Sequence, residues 1–113
     1  MEIIEFLLAR IAEDETAAKA RGADAMSGWR WKHYAPDAYR EIQMLALDSA
    51  KRLAAECQAK RVIVKRYQNW HMERLAAPHD VRSAAASAAL FWAVLDLAAV
   101  YADHPDYQED WRP

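Results

Sequence analysis

The sequence predicts an all-α protein, a small bundle of three or four helices, and three observations support this class. The residues that favour helices, namely Ala, Leu, Glu, Lys and Arg, dominate the chain. Only two of its 113 residues are Gly and four are Pro, too few for the tight turns of a small sheet protein. Hydrophobic residues make up 54%, while the mean hydropathy is -0.34. This length and balance predict one soluble domain over residues 1–113.

The first helix is marked by apolar residues at three- and four-residue spacing, which places them on one helical face. They are Ile3, Ile4, Leu7, Leu8 and Ile11. An alanine-rich run at 17–20 continues the helix, and Gly22 is expected to end it as a C′ residue.

Residues 23–36 are predicted to form an aromatic-rich irregular connection after helix 1. The segment contains Gly28, two tryptophans and Pro36. A flexible linker would be polar and would lack large aromatic side chains. We therefore expect this connection to be packed.

A long middle helix is predicted from Asp37, a candidate N-cap, to about Ala76. Roughly forty continuous helical residues exceed the usual length in a small domain. Two alternatives follow: a break near Leu47 and Asp48, or a long hairpin arm. Cys57 lies on the apolar stripe of this helix, so we interpret it as a small core residue rather than a reactive thiol.

The last helix is predicted to begin after the N-cap Asp80 and to run from Val81 to about Ala102. It carries two apolar faces. The first consists of Val81, Ala85, Ala88, Trp92, Leu95 and Ala99, and the second of Phe91, Val94 and Ala98. A helix that is apolar nearly all round is either central in its bundle or shared with a partner chain, which makes a homodimer an expectation. Tyr107 and Trp111 are expected to anchor the segment that follows.

The single cysteine excludes an intramolecular disulfide framework and fits a reducing compartment. The first residues are acidic and periodic rather than basic and continuously apolar, so they do not resemble a signal peptide. The most apolar stretch, 84–101, is interrupted by Asp96 and is interpreted as a buried helix rather than a membrane span. We expect a cytoplasmic protein with no membrane partner.

No pattern of catalytic residues emerges from the sequence. His33, His71, His79 and His104 form no pair with the i, i+4 spacing of a helical zinc site. Two glycines cannot build a phosphate-binding loop of the usual kind. The turn at 103–106 contains both Asp and His. These residue types suit either a metal site or simple capping of the backbone. We expect no enzyme, no metal and no cofactor.

The charge distribution allows two interpretations of the middle helix. Residues 51–74 are rich in Lys and Arg, including Lys60, Arg61, Lys65 and Arg66, whereas 1–15 and the stretch after Asp96 are mostly acidic. Clustered cations beside aromatic residues suit nucleic-acid binding. Compensation of the cations by the acidic segments is favoured, because the net charge is -2 and the pI near 6.1.

The chain is rich in aromatic residues, with five Trp and five Tyr. Trp92 and Trp111 are interpreted as core residues that fill the space between alanine-rich helices. Aromatic residues and Arg are also the usual anchors of protein interfaces. We therefore consider a second set as candidate partner-binding residues: Trp29, Arg30, Trp31 and Tyr34.

Three stretches together resemble a known family: IIEFLLARIAEDETAA at 3–18, AAECQAKRVIVKRY at 54–67 and YADHPDYQEDWRP at 101–113. The family occurs in actinobacteria and their phages and has no known function, and the C-terminal signature is the most specific of the three. The stretch from Gly22 to Asp48 departs from the family pattern. The resemblance implies a compact protein of bacterial or host cytoplasm, and no catalytic residue can be transferred from it.

The sequence therefore favours a non-enzymatic protein-binding module, an accessory protein with an unknown protein partner and a homodimer as one expected form. The alternative is a nucleic-acid-binding regulator that uses the basic residues of 51–74, which is less favoured.

Overall fold

The computed structural model describes residues 2–27 and 36–113, and all regular secondary structure within these ranges is helical. Helix α1 is Ile3–Ser27, α2 is Pro36–Ala76 and α3 is Val81–Ala99. A short 3₁₀ helix, Glu109–Trp111, follows near the end of the chain. The described ranges contain three α-helices and no strand, which confirms the predicted all-α class.

The contacts divide the chain into two compact units. Unit 1 comprises Met1–Ile11 and Ala59–Pro113, and unit 2 comprises Ala12–Gln58. Helices α1 and α2 therefore each contribute one segment to either unit.

The prediction that Gly22 ends the first helix was wrong. Helix α1 continues through Gly22 to Ser27, and among the described residues no glycine has a positive φ. A C′ glycine is needed where the chain turns left-handed, and here it does not. Instead Gly22 faces α2 within unit 2, where a Cβ atom added to it would lie 4.0 Å from the Cβ of Ala50. Residues 23–27 of the predicted irregular connection are consequently helical.

The predicted break near Leu47 and Asp48 was also wrong, because α2 runs without interruption over 41 residues. In unit 2 its first half packs along the second half of α1. Arg21 donates a hydrogen bond of 3.4 Å to the Ser49 hydroxyl. This pairing corresponds to the hairpin alternative within unit 2. This packing supports the long helix, because most helical stability in proteins comes from the tertiary contacts of an apolar face.

Helix α2 begins at Pro36, one residue before the expected cap, so Asp37 lies in its first turn. Proline suits the first helical position because the amide hydrogen it lacks would have no partner there. Further along α2, Ala50, Cys57 and Val64 are buried at seven-residue spacing. Cys57 is 0% exposed, which confirms the interpretation of this thiol as a core residue.

Helix α3 begins as the sequence predicts. The Asp80 carboxylate accepts a 3.1 Å hydrogen bond from the backbone N–H of Arg82, and the Ser83 hydroxyl donates to the Asp80 carbonyl at 3.1 Å. The helix ends at Ala99, earlier than the expected Ala102. By length and mean hydropathy alone α3 could cross a membrane, a test that the core helix of a soluble protein also passes.

In unit 1 the C-terminal segment packs on the first turns of α1 around a completely buried Phe6. The Phe6 ring lies 6.5 Å from Tyr101, 6.0 Å from Tyr107 and 5.0 Å from Trp111, between ring centroids. We call these four residues with His104 the C-terminal aromatic cluster. Tyr107 and Trp111 are thus the anchors that the sequence predicts, although Trp111 is half-buried rather than a fully buried core residue.

Candidate functional site

The main candidate site is an apolar surface on α3 that unit 1 leaves exposed from Val81 to Trp92 and half-buried at Leu95 and Ala99. We call it the outer face and define it by six residues at alternating four- and three-residue spacing: Val81, Ala85, Ala88, Trp92, Leu95 and Ala99. Val81 is 80% exposed and Trp92 60%. The interpretation of Trp92 as a core residue was therefore wrong.

The side of α3 that packs into unit 1 is built from small residues. Ser83, Ser87, Val94 and Ala98 are its buried residues. At 3.6 residues per turn, the centres of this buried face and of the outer face lie about 130° apart around the helix axis. Small side chains let α3 approach its neighbours closely, whereas the large Trp92 has no room on that side. Of the two faces predicted from sequence, the one with Val94 and Ala98 is buried.

One flank of the outer face carries two opposite charges. Arg82 and Asp96 are both exposed and lie on the same side of the outer face at 3.6 residues per turn. The Arg82 guanidinium carbon lies 5.5 Å from the ring centroid of Trp70 at the end of α2. An arginine over an indole ring at this distance makes a favourable cation–π contact, which holds the guanidinium group of Arg82 beside Trp70.

The other flank borders a shallow groove between α2 and α3 in unit 1. Its walls include His71 and Arg74 from α2 and Phe91 and Trp92 from α3. The His71 ring stacks on Tyr67 with centroids 5.6 Å apart, and Tyr67 also contacts Phe91 at 5.6 Å. The Nδ1 atom of His71 is buried and has no hydrogen-bond partner among the described residues. Aromatic rings thus continue the apolar surface of α3 onto α2.

The turn at 103–106 performs backbone capping and packing. Nδ1 of His104 accepts a 3.0 Å hydrogen bond from the backbone N–H of Asp106, and the guanidinium of the buried Arg10 hydrogen-bonds to the same ring. The His104 ring also lies 5.6 Å from the Phe6 ring. Over residues 2–27 and 36–113 no group of three His, Cys, Asp or Glu side chains could hold a metal ion.

One ion pair close to the C-terminus shifts the pKa of both its partners. Arg112 donates to the Glu109 carboxylate from Nε at 2.8 Å and from a terminal nitrogen at 3.0 Å. These hydrogen bonds and the attraction between the charges lower the pKa of Glu109 and raise that of Arg112. Both side chains are solvent-exposed, so the pair adds little to the free energy of unfolding.

The four candidate nucleic-acid-binding residues differ in their surroundings. The Lys60 ammonium donates a 3.0 Å hydrogen bond to the Tyr101 hydroxyl and lies 5.0 Å from the centroid of that ring. Arg61 is half-buried, whereas Lys65 and Arg66 are exposed. Lys60 therefore holds the segment after α3. The exposed basic surface on α2 is smaller than the one the sequence predicts.

The candidate partner-binding residues Trp29, Arg30, Trp31 and Tyr34 lie outside the described residues, as does His33. In unit 2 the described part of the chain exposes another set of apolar side chains on α2, namely Ile42, Met44 and Leu45. Ile42 also lines an open groove with Tyr39 and Ala25.

Sequence reasoning found both faces of α3 and assigned Trp92 to the wrong environment. The signal that could have separated the faces is the pair Ser83 and Ser87, four residues apart. Small residues at this spacing mark a face that packs closely against another helix, and the large Trp92 then belongs on the opposite side.

The chain belongs to a family of unknown function, DUF6221, whose sequence profile matches residues 1–113. Membership of a family without an assigned function is thus confirmed, while an origin among actinobacteria and their phages stays a prediction. No curated protein and no solved structure shows significant similarity to the chain.

Proposed function

We propose that this member of the DUF6221 family is a non-enzymatic protein-binding module and that the outer face of α3 is a surface through which it binds. The observation that carries the proposal is the 60% exposure of Trp92 in the middle of an apolar helical face. Burying a large apolar side chain contributes about 1.5–3 kcal/mol, so water alone is an unfavourable environment for this face. Tryptophan is also among the residues that most often dominate a protein interface.

The absence of a catalytic constellation in the described ranges supports a role in binding. The histidines that the structure describes are engaged in packing or lie apart. The His104 ring is held by Arg10 and the Asp106 backbone, and the His71 ring stacks on Tyr67. A general acid or base needs a reachable proton and a neighbouring orienting group, which these contacts do not provide.

We further propose that the protein acts in the cytoplasm, as an accessory protein of an actinobacterium or of its phage. The support for the compartment is the single buried Cys57, which suits a reducing environment, and the support for the origin is the family resemblance of the three stretches described above. In α3 the buried residues include two serines, which suits a helix packed against protein on one side.

The proposal is tested with a charge placed on the outer face. Trp92→Glu is expected to abolish a specific protein interaction while leaving the helical content unchanged, because the side chain is mostly in water. Leu45→Glu is the matched control, since Leu45 is 70% exposed and lies in unit 2 rather than on α3.

The partner is identified by affinity purification from the native cell and then tested as a purified protein by calorimetry. The expected result is a dissociation constant at least tenfold weaker for Trp92→Glu than for Leu45→Glu. Equal affinities for the two variants and the wild type would remove the outer face as a binding surface.

The alternative function is nucleic-acid binding through α2. The observation that favours it is that Lys65 is exposed and lines an open groove with Gln68 and Asn69. It requires an affinity that falls steeply with salt and weakens when Lys65 and Arg66 are replaced by Glu. Fluorescence anisotropy with labelled DNA and RNA at 50 mM and about 200 mM salt measures both effects. An unchanged anisotropy at the lower salt concentration excludes the alternative.

A further inference from the structure

We propose that the outer face of α3 binds the α3 helix of a second copy of this chain in antiparallel orientation. This inference rests on the proposed function and names the occupant of the surface. It is carried by three properties of α3: the order of large and small residues, the placement of two opposite charges, and the length of the face.

The residue order of the outer face is self-complementary when one copy is reversed. The six positions are symmetric about position 90, so an antiparallel pair centred there sets each large residue against an alanine of the second copy. The three pairs are Val81 with Ala99, Ala85 with Leu95, and Ala88 with Trp92. Interfaces pack densely when large side chains fill the spaces over small ones. Each of these pairs occurs twice across the two-fold axis, so the face needs no other protein for its complement.

The charges on the flank agree with the same register. Arg82 and Asp96 lie on one flank, and in an antiparallel helix pair each flank meets the same flank of the second copy. With the centre at position 90, Arg82 of one copy lies about two residues, or about 3 Å, from Asp96 of the other along the axis. The long arginine side chain spans this offset. Two symmetric ion pairs between Arg82 and Asp96 of opposite copies then form along the flank.

A parallel pairing lacks these advantages. It would set Trp92 against Trp92 and Ala85 against Ala85, which leaves one part of the interface crowded and another empty. It would also turn the flank with Arg82 and Asp96 toward the opposite flank of the second copy, so these two charges could not pair with each other. The sequence of the outer face therefore selects the antiparallel orientation.

The size of the face sets the expected affinity. A helix of 19 residues is about 28 Å long, and a strip of side chains along it covers less than the ~800 Å² per partner of a standard interface. We therefore expect a reversible dimer with a dissociation constant on the order of micromolar rather than an obligate one.

Sedimentation equilibrium of the full chain from about 1 to 100 μM tests the association. We expect the wild type to shift from monomer to dimer over this range, Trp92→Glu to stay monomeric and Leu45→Glu to behave as wild type. A wild-type protein that stays monomeric at 100 μM overturns the inference.

Disulfide cross-linking tests the orientation, in a Cys57→Ala background that removes the buried native thiol. Ala85→Cys and Leu95→Cys chains are oxidised separately and as an equal mixture. We expect cross-linked dimers in the mixture, where positions 85 and 95 of opposite copies meet. Each chain alone should not cross-link, because identical positions lie about 15 Å apart along the axis and a disulfide needs Cα atoms within about 7 Å. Efficient cross-linking of Ala85→Cys alone would show a parallel pair and overturn the proposed register.

Charge reversal on the flank is a second test. It should disturb the fold little, because both residues are exposed. Arg82→Asp and Asp96→Arg should each weaken the dimer about fivefold or more, since each creates two like-charge contacts. The double variant should restore the wild-type dissociation constant. Additive losses in the double variant would contradict the pairing.

The failure of this inference is distinguishable from the failure of the proposed function. If the wild type is monomeric and Trp92→Glu loses binding of a different protein, the occupant is wrong and the binding surface stands. If Trp92→Glu changes neither self-association nor any protein interaction, both the inference and the proposed function are refuted. Wild-type binding to vesicles of phosphatidylcholine and phosphatidylglycerol that Trp92→Glu loses, without dimers, would assign the face to lipid and overturn the inference.

Discussion

Replacement of Phe6 by alanine tests how the C-terminal segment is held on α1. Phe6 is 0% exposed and its ring meets those of Tyr101, Tyr107 and Trp111 at centroid distances of 5.0–6.5 Å. Truncation at this position removes the common contact of three aromatic side chains. The resulting cavity lies between α1 and a segment whose backbone hydrogen bonds are local turns.

The expected loss in the free energy of unfolding follows from the burial of Phe6. Phe→Ala in a protein core costs about 3–5 kcal/mol, a large share of the ~5–15 kcal/mol by which a small domain is stable. The matched control is Phe91→Ala, because Phe91 is 37% exposed and contacts the ring of Tyr67. Partial burial reduces the cost there to roughly 1–2 kcal/mol. The two variants should therefore differ by about 2 kcal/mol.

Urea unfolding followed by far-UV circular dichroism measures both free energies of unfolding against the wild type. All three proteins are compared at one low concentration, so that association contributes equally. We expect Phe6→Ala to unfold at a clearly lower urea concentration than Phe91→Ala. Equal losses within ~0.5 kcal/mol, or a larger loss for Phe91→Ala, would refute the assignment of Phe6 to the centre of the cluster.

Three further predictions concern local interactions. Asp80→Ala should lower the free energy of unfolding by about 1 kcal/mol, because it removes the side-chain cap of α3, and an unchanged urea midpoint would contradict this. Gly22→Ala should raise it by about 0.5–1 kcal/mol, because the added Cβ meets Ala50 only at 4.0 Å, and a lower Tm would contradict that packing. In an NMR titration the Glu109 carboxyl should show a pKa below its ordinary value, and Arg112→Ala should return it upward. Because the folded pKa is lowered, the small stabilisation by this pair is present above the unfolded pKa and is lost as the pH falls through the folded one. A midpoint that Arg112→Ala leaves unchanged would exclude the ion pair as its cause.

Local signals in the sequence were sufficient for the helices and for their capping. The stripe that begins at Ile3 and the Asp80 cap are properties of a few neighbouring residues, and both predict the structure correctly. The burial of Cys57 follows from its place on an apolar stripe. Such features need no knowledge of distant parts of the chain.

Features that depend on distant residues were predicted less well. Gly22 is the residue type that commonly ends a helix. Only the alanine that faces it from α2 explains why the helix continues there. The two faces predicted for α3 are both apolar, and only the serines beside Val94 and Ala98 indicate which of them the rest of the chain covers. Trp92 was therefore placed in the core because of its size, although the serine face packs more closely.

The packing of Phe6 under residues 101–111 has a consequence for synthesis on the ribosome. The first turns of α1 are translated about a hundred residues before the rings that cover Phe6. Contacts separated by about a hundred positions close slowly, since a long loop must be ordered before they form. Unit 1 can therefore complete its folding only after residues 101–111 have emerged from the ribosome, while the contacts of unit 2 can form before that.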